Sequence, residues 1–136
     1  MRLASVAASL AVIHALSSGP ALAAVCLDKS MTSDEIVDTI KAARGCDRAM
    51  KVFEACEFGA SGDVDLGAAV EKKCEGDFLA GLKQPQKAAY QREMQVCDRK
   101  YRSQSGTMYP SFTAFCRANV AQRYSRQARK AAGTSR

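Results

Sequence analysis

The chain has 136 residues, with 20 Lys and Arg against 14 Asp and Glu, six cysteines and one histidine, His14. That length is one domain's worth, and a hydrophobic content of 47% is enough for a modest core. Because the only histidine lies in a segment expected to be removed, a Ser-His-Asp site, a Cys-His site and a histidine-ligated metal centre are all excluded.

The N-terminus has the three parts of an export signal: Arg2 as a positive start, an apolar run from Leu3 to Leu16, and the small-residue box Ala21-Leu22-Ala23. Cleavage is expected near Ala23, so residues 1–23 read as a signal peptide and the mature chain starts at Ala24. The apolar run is broken by His14, Ser17 and Ser18 and is too short to span a bilayer. Val25 stands before Cys26 where a lipid-anchored protein needs a small residue, so no lipid anchor is expected.

Thr32-Ser33-Asp34-Glu35 reads as a capping box, followed at helical spacing by Ile36, Ile40 and Ala43. A first helix is expected over about 33–43, stopping at Gly45. Cys46, Met50, Phe53 and Cys56 share one face of a second helix, ended by Gly59 and Gly62. Asp63 or Asp65 can cap a third, along which Leu66, Val70, Cys74, Phe78 and Leu82 recur every four residues. Pro85 suits the first turn of a fourth helix with the stripe Tyr90, Met94, Cys97 and Tyr101, ending before Gly106. Pro110 can open a fifth, with Phe112, Phe115, Cys116 and Val120 facing inward. No period-two run is long enough for a strand.

An even number of cysteines in a small exported chain reads as three disulfides. Zinc is the weaker reading, since there is no C-x-x-C pair and no histidine to join one. If helices two and three turn about Gly59 to Gly62, Cys46 lies opposite Cys74; if helices four and five turn near Gly106, Cys97 lies opposite Cys116. Cys46 and Cys56 on one continuous helix would be about 15 Å apart, too far to bond. The expected pairing is therefore Cys46 with Cys74, Cys97 with Cys116 and, by elimination, Cys26 with Cys56. A break in the second helix would instead let Cys46 and Cys56 pair locally.

All 14 acidic residues lie at or before Asp98, and from Arg99 onward the chain carries basic residues and no acid. Ala24 to Asp98 is net negative and the remainder strongly positive. Arg117, Arg123, Arg126, Arg129 and Lys130 form a candidate basic surface for an anionic envelope, with a solvated helix face as the plain alternative. The stretch after Tyr124 lacks large apolar residues and is expected to be partly disordered. Nucleic acid is not an expected partner, because Tyr124 is the only aromatic interleaved with that last basic run.

Asp63-Val64-Asp65-Leu66-Gly67 begins like a calcium loop, but Cys74 stands where the closing glutamate is needed, and helix capping explains the acids better. Pairs such as Glu71 with Glu75, or Glu75 with Asp77, suit acid and base roles in glycoside cleavage, yet nothing in the sequence places them in a cleft. Gly106-Thr107-Met108-Tyr109 is unusual for a turn in carrying Met and Tyr. It is either a binding loop or a cover for the base of a helical hairpin.

Leu82, Gln86-Lys87, Tyr90, Cys97, Gly106-Thr107-Met108 and Cys116-Arg117-Ala118, preceded by Cys46, Cys56 and Asp65-Leu66, follow one another in an order that resembles the LprI-like lysozyme-inhibitor family of exported bacterial helical domains. The likeness covers most of Cys46 to Arg123. Tyr90 stands where that family usually has tryptophan, and Cys26 and Cys74 are additional. The resemblance implies a helical domain that binds a lysozyme. Lysozymes are commonly basic, which suits the acidic stretch before Arg99.

The expectation is thus an all-α, small disulfide-stapled bundle of four to five helices arranged as antiparallel hairpins. It comprises a domain over 24–124 and a basic, partly disordered tail over 125–136. The function expected is that of a periplasmic or secreted binding protein, not an enzyme, with no metal and no cofactor. Its partner would be a protein such as a lysozyme; the alternative is an envelope-associated structural protein acting through the basic end.

Overall fold

The computed structural model describes Cys26 and residues 30–134, and the expected signal peptide and its cleavage site lie outside the described residues. Five α-helices follow in order: α1 (Ser33–Ala42), α2 (Cys46–Cys56), α3 (Asp63–Glu75), α4 (Gln84–Lys100) and α5 (Met108–Thr134), with a 3₁₀ turn at Leu79–Gly81 between α3 and α4. Among the described residues there is no strand. The fold is the expected all-α, disulfide-stapled bundle.

Local chemistry sets the helix starts. The Thr32 and Glu35 capping box forms at α1, with Glu35 N–H donating to the Thr32 hydroxyl and Thr32 N–H to the Glu35 carboxylate. Pro85 sits in the first turn of α4, where its missing N–H costs nothing. Gly106, at a φ of 125° that a side chain would oppose, turns the chain from α4 into α5.

The bridges are Cys26–Cys56, Cys46–Cys74 and Cys97–Cys116, with Cα atoms 5.0, 4.6 and 5.6 Å apart. The first ties the segment before α1 to the end of α2, the other two clamp α2 against α3 and α4 against α5, and each should contribute roughly 2–4 kcal/mol. Within each hairpin the helices are antiparallel: Cys46 meets Cys74, and Cys97, Asp98 and Glu93 meet Cys116, Arg117 and Arg123 in turn. Across hairpins the relation reverses. Asp63 meets Ser111, Gly67 meets Ala114, Glu71 meets Arg117 and Asp77 meets Ser125, so α3 and α5 run parallel, with their N-termini at the same end.

Ile36, Ile40, Met50, Phe53, Leu66 and Val70 fill the main core against Ala114, Ala118 and Ala121 of α5. Phe53 and Phe115 stack with ring centroids 4.0 Å apart. A second cluster, Phe78, Tyr90 and Met94 with Val120 and Tyr124, lies between α4 and the later part of α5. Small residues on α5 let it approach α3 closely enough that Gly67 has no room for a side chain.

Four expectations need correction. Helix α3 ends at Glu75, before the expected stripe is complete, and Phe78 reaches the second cluster from a turn. Helix α5 starts at Met108 instead of Pro110, and the stripe it buries is Ser111, Ala114, Ala118, Ala121 and Ser125, which leaves Phe112 on the outside, 44% exposed. The domain does not end at Tyr124: α5 continues to Thr134, with Ser125 fully buried against Asp77. Asp63 does not serve as an N-cap; Gly62 holds that position, and the Asp63 side chain turns back into the preceding loop.

Candidate functional site

Parallel α3 and α5 bring the α2–α3 and α4–α5 loops to the same end of the bundle, and Asp63 ties them together. Its buried carboxylate accepts from Phe58 N–H at 2.7 Å, Gly59 N–H at 2.9 Å and Ser111 Oγ at 2.6 Å. An anion in the first turn of α3 is further favoured by the helix dipole. These bonds fix the α2–α3 loop with Phe58 turned outward.

Phe58, Val64, Met108 and Phe112 are all between 44% and 49% exposed at this end. Tyr101, Tyr109 and Phe112 form a ring cluster, with centroids 5.6–6.0 Å apart. Large apolar side chains gathered on one face of a small protein are a common mark of an interaction surface. Exposed Glu54, Glu57 and Lys100 share a cleft rim with Phe112, and exposed Asp65 follows Val64.

Two clefts open on either side of the ring cluster, and Tyr101 lines both. The larger, about 1060 Å³, runs between the end of α2 and the outer face of α5, past Glu54, Glu57, Phe112 and Phe115. The smaller, about 770 Å³, lies between α3 and the α4–α5 loop, walled by Val64, Tyr109 and Gly106. At its polar side Arg117 donates through Nε and Nη2 to Glu71, at 2.9 and 2.7 Å, and through Nη1 to Asp98 at 2.9 Å. The bonds to Glu71, and then those to Asp98, outweigh burial and hold the guanidinium still more firmly protonated. Nearby, Tyr90 O–H donates to Glu75 at 2.9 Å; burial, then that carboxylate, push the phenol well above its ordinary pKa.

Of the loop singled out in the sequence, Gly106 and Tyr109 line the smaller cleft, Met108 stands exposed beside it, and Thr107 is exposed in the turn. The basic residues fare differently. Arg117 is committed to Glu71 and Asp98, Arg123 to Glu93, and Arg126 and Arg129 both to Asp47, while Lys130 is exposed beside the last of these pairs. Four of the nine basic residues from Arg99 onward thus fold onto carboxylates of the earlier, net-negative part of the chain. Asp63 is turned inward, which removes it from any calcium loop, and among the described residues no group of three or more metal-ligating side chains is assembled. Of the carboxylates weighed for acid and base work, Glu71 and Glu75 line the smaller cleft, the first bonded to Arg117 and the second to Tyr90, while Asp77 is bonded to Ser125.

Sequence reasoning missed Phe58, Asp63, Tyr101, Ser111 and Phe112 as parts of one end. Only Phe58, an aromatic just before a glycine turn, carries a local signal. The three bridges are compatible with an extracytoplasmic location, and among the described residues no helix is long and apolar enough to cross a membrane.

Comparison with protein-family models, with curated proteins and with solved structures finds no match to this chain.

Proposed function

We propose that the protein is an exported binding protein that uses the Phe58, Met108 and Phe112 end to engage a basic protein partner, a lysozyme being the specific candidate. The observation that carries this reading is the exposed apolar end itself, held rigid from behind by Asp63 and edged by Glu54, Glu57 and Asp65. An apolar centre with a charged rim is the usual anatomy of a docking surface, and carboxylates at the rim would speed encounter with a cationic partner. Export is supported by the leader pattern and by three bridges in a small chain. Attachment to an anionic envelope through the basic end has less to draw on, because four of its five candidate residues already hold carboxylates.

The test is a lysozyme turbidity assay with the chain beginning at Ala24. Inhibition near equimolar ratio is expected, weakened about tenfold or more in Phe112→Asp, which removes one ring from the centre of the surface. No inhibition at large molar excess would remove lysozyme as the partner.

A further inference from the structure

The smaller cleft has a chemistry that the docking surface does not use. We propose that it binds a neutral, polyhydroxylated ligand: a short oligosaccharide, with pyranose rings laid against Tyr101 and Tyr109 and hydroxyls directed to the carboxylates around Arg117.

Three observations converge on that class. First, the charges in the wall balance: Glu71, Glu75 and Asp98 are matched by Lys72, Arg102 and Arg117, so no net field selects an anion or a cation. Second, Arg117 turns Nε, Nη1 and Nη2 toward Glu71 and Asp98, and these two carboxylates beside it would repel a phosphate or carboxylate. The same clamp holds both carboxylates in fixed directions, and an ionised carboxylate has about four acceptor sites, more than Arg117 occupies. Glu75 takes one bond from Tyr90 and keeps its second oxygen. Fixed acceptors of this kind suit hydroxyl donors. Third, the opposite wall is apolar and aromatic, with the Tyr101 and Tyr109 ring centroids 6.0 Å apart and Ala68 and Ala114 lining the wall between the helices.

A ligand must therefore show a flat apolar face on one side and a hydroxylated edge on the other, without net charge. A pyranose does both, through its axial C–H groups and its equatorial hydroxyls. The volume of about 770 Å³ lies within the range of small-ligand sites and has room for two or three sugar units.

The site is separate from the lysozyme reading, and its test contains no lysozyme, so either can fail alone. Amide chemical shifts of the uniformly labelled chain from Ala24 are followed during titration with chitotriose and with cellotriose. Saturable shifts at residues 64–75 and 98–117 are expected with at least one sugar below about 10 mM, with affinity unchanged between low and high salt. Tyr109→Ala should weaken binding about tenfold. Ala68→Tyr, at an exposed position on the cleft wall, should abolish it while leaving the helical circular dichroism intact. The proposal is overturned if neither sugar shifts these amides, if binding survives Ala68→Tyr, or if tetramethylammonium saturates the cleft at lower concentration than either sugar.

Discussion

Ser111 Oγ donates a 2.6 Å hydrogen bond to Asp63 Oδ2, joining the first turn of α5 to the first turn of α3 with both residues buried. The same carboxylate holds Phe58 N–H and Gly59 N–H. Truncation in Asp63→Ala strands three donors at once and should cost about 3 kcal/mol, whereas Asp63→Asn, which keeps an acceptor, should cost about half as much. Urea unfolding measures both. A loss under about 1 kcal/mol for the alanine variant would mean that the loop does not depend on this residue.

Gly67 is the closest point between α3 and α5. A Cβ there would lie 2.7 Å from Ala114 Cβ and 3.2 Å from its backbone. Alanine is ordinarily the better helix former by up to about 1 kcal/mol, yet here crowding against backbone should win and Gly67→Ala should destabilise by about 1–3 kcal/mol. Adding Ala114→Gly should recover part of that loss in thermal melts, and failure to recover any would contradict the contact.

The end of α5 is predicted to matter for stability. A chain stopped at Tyr124 loses the Ser125 hydrogen bond to Asp77 and both arginines on Asp47. Surface pairs contribute about 0.2–1 kcal/mol each and a buried hydroxyl bond about 1, so truncation should cost about 2–3 kcal/mol. An unchanged urea midpoint is the outcome that would restore a loose tail.

Acid should loosen the same region. The Arg123 hydrogen bond holds Glu93 below its usual range, against the upward push of burial and with help from Tyr124 O–H. Burial pushes Asp47 upward, but hydrogen bonds from Arg129, Arg126 and Gln122 together outweigh it. Both carboxylates bind protons more weakly in the folded chain than in the unfolded one. Their contribution is therefore complete above the unfolded values near 4.5 and 3.8 and is lost as pH falls through the lower folded values. With both pairs at the surface the total is about 1 kcal/mol. The melting temperature should hold from pH 7 to 5 and fall below about pH 4.5, less steeply in the Asp47→Asn, Glu93→Gln double variant. Identical slopes would assign the acid sensitivity to other groups.

What the sequence discloses here is what short range decides. Thr32 and Glu35 announce the start of α1 because each caps the other three residues away. The bridge partners are legible because glycine turns mark the hairpins, and the cysteines lie at mirrored distances from them. The parallel pairing of α3 with α5 is not legible, since Asp63 and Ser111 are 48 positions apart and neither carries a pattern that points to the other. The alanine-rich end of α5 looks like a tail for a related reason: it is held by arginines reaching Asp47, about 80 positions earlier, and by one serine, with little hydrophobic periodicity. Phe112 reads as an inward residue because the stripe is drawn through the large apolar residues Phe112, Phe115 and Val120. The face that α5 buries is instead the small-residue stripe Ser111, Ala114, Ala118, Ala121 and Ser125, chosen by close approach to α3, and Phe112 lies off it.

The bridges have a further consequence. Cys26–Cys56 and Cys46–Cys74 interlock within residues 26–74, and Cys97–Cys116 closes its own ring, so that no disulfide crosses from one hairpin to the other. Covalently the protein is two sealed circuits on a single tether, residues 75–96. The seam between them is kept shut without any covalent link, by packing such as Phe53 on Phe115, by the rungs Asp63 with Ser111, Glu71 with Arg117 and Asp77 with Ser125, and by Gln122, Arg126 and Arg129 on Asp47. One proteolytic cut in the Leu79–Gly81 turn would turn the tether into two loose ends. The halves would then come apart in denaturant without any reductant, each still carrying its own bridges.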